Sequence, residues 1–85
     1  MRAIWKYSLD ITDAQCLDMP SGAKILCVQM QGKTLCLWAV VDPAQPKVRR
    51  TFRVYGTGHP LDDNHGVYLG TVQVGMLVFH VFEVK

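Results

Sequence analysis

Eleven consecutive residues hold the densest set of chemically capable side chains in this chain: Gly56-Thr57-Gly58-His59-Pro60-Leu61-Asp62-Asp63-Asn64-His65-Gly66. His59, Asp62, Asp63 and His65 are residue types that zinc, manganese or nickel accept. One reading is therefore a metal-dependent hydrolase built on His59, Asp62 and His65. Their spacing matches no zinc pattern, so no metal is expected. A second reading is a ligand-binding loop, in which Gly56, Thr57 and Gly58 offer backbone N–H groups to an anion beside His59. A third is a plain connection, with Gly supplying positive φ and Asp or Asn capping the local backbone. Gly-Thr-Gly-His is no P-loop, because it lacks the Lys-Ser/Thr pair and a following helix. No βαβ pattern surrounds it, so it is no dinucleotide fingerprint either.

A basic segment runs into this loop. Lys47, Arg49, Arg50 and Arg53 fall within seven positions. On an extended strand Arg49, Thr51, Arg53 and Tyr55 share one face, while Val48, Phe52 and Val54 share the other with Arg50 among them. Arg49 and Arg53 then lie about 13 Å apart at roughly 3.3 Å per residue. Two planar guanidinium groups at that separation suit two phosphates or carboxylates, and Tyr55 can stack on a nucleotide base. The plain alternative is a charged face that protects an edge strand from aggregation. The net charge is only +2, which fits a small anionic ligand better than nucleic acid. The expected binding set is Arg49, Arg53, Tyr55, Thr57 and His59.

Other reactive side chains read as structural. Cys16, Cys27 and Cys36 are odd in number and lack CxxC spacing. They form neither a disulfide framework nor a zinc site, and read as free thiols in a reducing cytosol. His80, among Val78, Val81 and Phe82, reads as a hydrogen-bonded core residue. Trp5 and Trp38 read as core anchors. No Ser/His/Asp set, carboxylate pair or HxE pattern stands out. The chain is expected to be no enzyme and to carry no cofactor.

The elements that position these residues are strands. Residues 3–9 alternate, 14–19 form a second strand ended by Pro20-Ser21-Gly22, and 24–31 and 34–41 make a hairpin turned at Gly32-Lys33. Near-continuous hydrophobicity from Leu35 to Val41 predicts a central strand covered on both faces. Pro43 and Pro46 force a loop. Residues 48–55, 67–74 and 77–84 complete the set, the last two as a hairpin turned at Gly75-Met76. No window shows a strong helical period. The expected fold is a single all-β domain over residues 1–85, a small antiparallel β-sandwich or partly open barrel of six or seven strands.

The chain has 85 residues, 49 % hydrophobic and 19 % charged, a balance that excludes disorder. No apolar run reaches the roughly 20 residues of a membrane span, and no signal-peptide core is visible, so a soluble intracellular module is expected. At 9.6 kDa such a domain exposes roughly 5,100 Å² and has little core. The last strand, Leu77 to Lys85, is apolar on both faces, and an open edge invites pairing with another chain. A homo-oligomer is expected on that ground, unless the strand sits centrally.

Several segments carry a likeness: Ile4-Trp5-Lys6-Tyr7, Ile11-Thr12-Asp13, Met19-Pro20-Ser21-Gly22-Ala23-Lys24-Ile25-Leu26-Cys27-Val28-Gln29, Cys36-Leu37-Trp38-Ala39, Tyr55-Gly56-Thr57-Gly58-His59-Pro60, Gly70-Thr71-Val72-Gln73 and His80-Val81-Phe82-Glu83. Together they resemble an uncharacterised family of small phage and prophage proteins. The resemblance implies a host bacterial cytoplasm and assigns no site residue. In that setting a non-enzymatic oligomer could sequester a small anionic nucleotide, an immune signal of the host. The alternative is a protein-interaction module that inhibits or redirects a host factor.

Overall fold

The computed structural model describes residues 1–85 and contains seven strands and no helix. They are β1 (Ala3–Leu9), β2 (Ala14–Pro20), β3 (Lys24–Gln31), β4 (Thr34–Val41), β5 (Lys47–Gly56), β6 (Val67–Val74) and β7 (Leu77–Val84). All pairings are antiparallel. One sheet has the order β1-β4-β3 and the other β2-β5-β7-β6. The fold is a β-sandwich, not a closed barrel. Both predicted hairpins are present, with Gln31 opposite Thr34 and Val74 opposite Leu77.

The core lies between the sheets. Alternation along β4 sends Leu35, Leu37, Ala39 and Val41 inward, where they meet Phe52 and Val54 of β5, Val72 of β6 and Val81 of β7. β4 is central in its sheet, as its continuous hydrophobicity predicts, but no layer covers its outer face, where Trp38 and Val40 are only half-buried. At one side the sheets nearly touch. A Cβ on Gly70 would lie 2.5 Å from Val28 Cγ2, so a side chain there would have to displace the buried Val28 of β3. Gly70 sits where the β6–β7 register slips, the usual place for a bulged strand to bend.

Three expectations are corrected. β7 is not an edge: it lies between β5 and β6, and this central position accounts for its apolar composition. Neither tryptophan joins the core cluster. Trp38 alternates with inward Leu37 and Ala39, so it faces out. Trp5 sits on edge strand β1 and remains 37 % exposed. His80 is likewise no core residue. Its neighbour Val81 is fully buried, so the two-residue period turns His80 to the outer face.

Arg50, the charge embedded in an apolar strand face, is neutralised inside the sandwich. Its Nε and Nη2 donate to Glu83 Oε2 and Oε1 at 2.5 and 2.7 Å, and its Nη1 donates to the Ala23 carbonyl at 2.5 Å. The Glu83 bond holds the guanidinium pKa above its usual value. The inward Tyr7 hydroxyl is buried without a hydrogen-bond partner. Burial raises its pKa, an effect partly offset by Arg50.

Only 14 of 85 residues are buried, and the surface is 5634 Å². That exceeds the roughly 5,100 Å² expected for a chain of this mass. The molecule is flat, 40 × 30 × 15 Å. Some of the excess is apolar. Ile4 and Leu26 are exposed, and Trp38 and Val40 half-buried, on the three-stranded sheet.

Candidate functional site

The site forms on the outer face of the four-stranded sheet, where β5, β7 and β6 lie side by side. Inward Phe52 and Val54 fix the phase of β5, so Arg53 and Tyr55 must point out. In register, Arg53 faces Phe82 and Tyr55 faces His80. On the other side of β7, Tyr68 pairs with Phe82 and Thr71 with His80. Six outward side chains from three strands thus form one surface.

Its apolar centre is Phe82. Tyr55, His65 and Tyr68 approach this ring edge-on, with centroids 5.6, 5.0 and 5.5 Å away and interplanar angles of 87°, 68° and 65°. Such edge-to-face packing adds to area burial and stiffens the ring positions.

Beside it runs a polar chain. Tyr68 and Thr71 hydroxyls are 2.6 Å apart, Thr71 Oγ1 is 2.9 Å from His80 Nδ1, and Thr57 Oγ1 is 2.7 Å from His80 Nε2. Thr57 also reaches the Val78 carbonyl at 3.4 Å. One arrangement of protons satisfies every link. Tyr68 donates to Thr71, Thr71 to His80 Nδ1, His80 Nε2–H to Thr57, and Thr57 to Val78.

The segment from Gly56 to Gly66 folds over this face. At its start the Thr57 amide donates to Val78 O at 3.1 Å, and the His59 amide to Gly56 O at 3.0 Å. The His59 ring then rests against the Gly56 backbone, where an added Cβ would come within 2.9 Å. In the middle, Arg53 Nη1 and the Tyr55 hydroxyl both donate to Asp62 Oδ2, the latter at 3.2 Å. At its end Gly66 has φ +85°, and a Cβ there would fall 2.0 Å from the Glu83 carbonyl oxygen. Only glycine lets the loop return so close to β7.

Three adjoining clefts open around His59. One of about 320 Å³ is lined by Asp13, Arg53, Val54, Tyr55, His59, Pro60 and Asp62. A more apolar one of about 240 Å³ lies over Tyr55, Thr57, Leu61, Tyr68, His80 and Phe82. The third, about 410 Å³, runs from Gly56 and Thr57 to Met76, Leu77 and Phe79 at the β6–β7 hairpin.

Of the predicted set, Arg53, Tyr55, Thr57 and His59 converge here. Arg49 does not. It sits four residues, two repeats of the pleat, further back on β5, 3.8 Å from Asp18 and largely exposed, and lines none of the clefts. His59, Asp62 and His65 are not brought together as a set of metal ligands. No three His, Cys, Asp or Glu side chains are grouped to hold an ion. His65 instead donates from Nδ1 to the Gly66 carbonyl at 2.9 Å and packs on Phe82.

Tyr68, Thr71, His80 and Phe82 belong to the site but not to the predicted set. The hairpin turn at Gly75-Met76 alone places Thr71 opposite His80, so that pair was derivable. The slip between Tyr68 and Gly70 was not.

The whole chain, residues 1–85, matches the family described as "Domain of unknown function (DUF7352)". No curated protein and no solved structure matches it.

Proposed function

The chain belongs to that family of unknown function, and from the geometry of its loop-covered face we propose that it is a non-enzymatic binder of a small anionic ligand. The observation that carries this is the convergence of Arg53, Tyr55, Thr57 and His59 around adjoining clefts. A cationic fork, an aromatic wall and a fixed polar chain meet there within one open surface. Concave sites with an apolar wall and a few placed polar groups are the usual form of a small-molecule site. An aromatic wall beside an arginine favours a ligand with a planar ring and an anionic group, as a nucleotide has. In the phage setting that the resemblance implies, that ligand is a host immune nucleotide, sequestered in the cytoplasm. The surface excess of this flat domain supports an oligomer as the working unit.

The test is a panel of cyclic and linear nucleotides read by thermal shift and calorimetry. A heat and a stabilisation with at least one member support the proposal, and silence across the panel ends it. Light scattering on the same sample checks the oligomer.

A second reading rests on a different surface. Exposed Ile4 and Leu26, with half-buried Trp38 and Val40 on the same sheet, suit a host-protein interface. Co-purification of one host protein at stoichiometric yield, lost in Ile4→Lys, would favour it.

A further inference from the structure

Arg53 makes incomplete use of its guanidinium. Nη1 donates to Asp62, but Nε is shielded from solvent and has no hydrogen-bond partner. A guanidinium is built for two parallel bonds to a carboxylate or phosphate, and Arg50 on the same strand makes such a pair with Glu83. The Arg53–Asp62 contact is the one-pronged version. Both contacts that Asp62 receives, from Arg53 and Tyr55, fall on the single oxygen Oδ2.

Asp62 is also weakly held. Its side chain is 56 % exposed, on a turn closed by His65 N–H to Asp62 O at 3.1 Å. Exposed ion pairs of this kind contribute little. The 320 Å³ cleft opens directly on both Arg53 and Asp62. A mobile anion arriving there finds a cation whose present partner is tethered, exposed and engaged through one oxygen only.

Resting on the ligand-binding reading of this site, we infer that Asp62 is a built-in competitor for the ligand's anionic group. A phosphate or carboxylate displaces Asp62 from Arg53 and Tyr55, and the guanidinium turns to present a second nitrogen to it. Asp62 thereby sets a threshold: only an anion that engages the guanidinium with two oxygens gains enough over the resident carboxylate to bind. Asp13 lines the same cleft and contributes only general negative potential.

The experiment measures binding of inorganic phosphate and AMP to the full chain by calorimetry, alongside the Arg53 Nε–Hε signal in ¹⁵N-labelled protein. Wild type, Asp62→Asn, Asp13→Asn and Arg53→Gln are compared, with circular dichroism confirming that each folds. The expected result is about two- to fivefold tighter binding in Asp62→Asn, a smaller gain in Asp13→Asn and loss in Arg53→Gln. The Arg53 Nε–Hε signal should shift on phosphate addition. Equal gains in the two Asp→Asn variants would reduce the effect to net charge and overturn the inference. Unchanged or weaker binding in Asp62→Asn would overturn it too, while wild-type binding of AMP kept the ligand-binding reading intact. No binding of either probe to any variant would remove the inference, and the nucleotide panel would then decide the ligand-binding reading.

Discussion

Arg50 and Glu83 form a two-pronged ion pair across the β5–β7 ladder, on the inner side of the sandwich, at 2.5 and 2.7 Å. Their side chains are 20 % and 14 % exposed. The pair lies one residue from the core, since Phe52 faces Glu83 in register. The third guanidinium nitrogen ties β5 to Ala23, just before β3, and so links the two sheets.

Removing one partner of such a pair leaves a poorly solvated charge behind. Glu83→Ala should therefore destabilise the domain by about 3 kcal/mol. Glu83→Gln keeps one acceptor for the fork and should cost roughly half as much. Urea unfolding followed by tryptophan fluorescence measures both. A near-neutral Glu83→Gln beside a costly Glu83→Ala would show that packing, not the charged hydrogen bonds, is what Glu83 supplies.

Tyr7 offers the opposite case. Its hydroxyl is buried and unpartnered, so deleting it removes a desolvation cost and no bond. Tyr7→Phe should be neutral or stabilising by up to about 1 kcal/mol. Burial raises the Tyr7 pKa above its usual value near 10. A folded pKa above the unfolded one gives stability that is full below pH about 10 and lost as pH rises through the folded pKa. Wild-type stability should therefore fall in strong alkali, and Tyr7→Phe should flatten that fall. An unchanged alkaline slope in the variant would assign it to other groups.

How much of this was readable in the sequence follows from period and turns. A two-residue period anchored by a buried apolar residue determines which side chains share a face, so the Arg53–Tyr55 face was visible. So was the inward anomaly of Arg50, though not its partner, because Glu83 is 33 positions away. Short turns fix register, which makes the two hairpins legible. Strand order is another matter. β1 and β2 are consecutive yet lie in different sheets, and β5 enters between β2 and β7. Nothing local encodes that choice, because it depends on which sheet can cover which apolar face. The placement of β7 was missed for this reason, and with it the surroundings of His80.

Thiol exposure gives a direct check on those sheet assignments. Cys16 is exposed, Cys27 half-buried and Cys36 buried at 1 %. Cys16 lies on edge strand β2 with its sulfur 3.4 Å from Thr51 Oγ1. Native protein treated with iodoacetamide should label Cys16 first, Cys27 more slowly and Cys36 only on unfolding. Peptide mass spectrometry reads the order. Early labelling of Cys36 would mean that β4 is not the central strand of its sheet.

Two glycines with nearly the same backbone angle separate conformational strain from steric collision. Gly22 has φ +81° with open space around it, whereas Gly66 has φ +85° with the Glu83 carbonyl oxygen 2.0 Å from an added Cβ. Gly22→Ala incurs only the left-handed backbone cost, about 1–2 kcal/mol. Gly66→Ala adds a backbone clash that no side-chain rotation relieves, so its loss should exceed about 3 kcal/mol. The same clash would lift the end of the Gly56–Gly66 segment off β7, separating His65 from Phe82. Gly66→Ala should therefore disturb the Phe82 and His65 ring signals by NMR in conditions where Gly22→Ala leaves them unmoved. If both variants lose the same stability and neither shifts those rings, the close return of the loop onto β7 is not what holds it over the sheet.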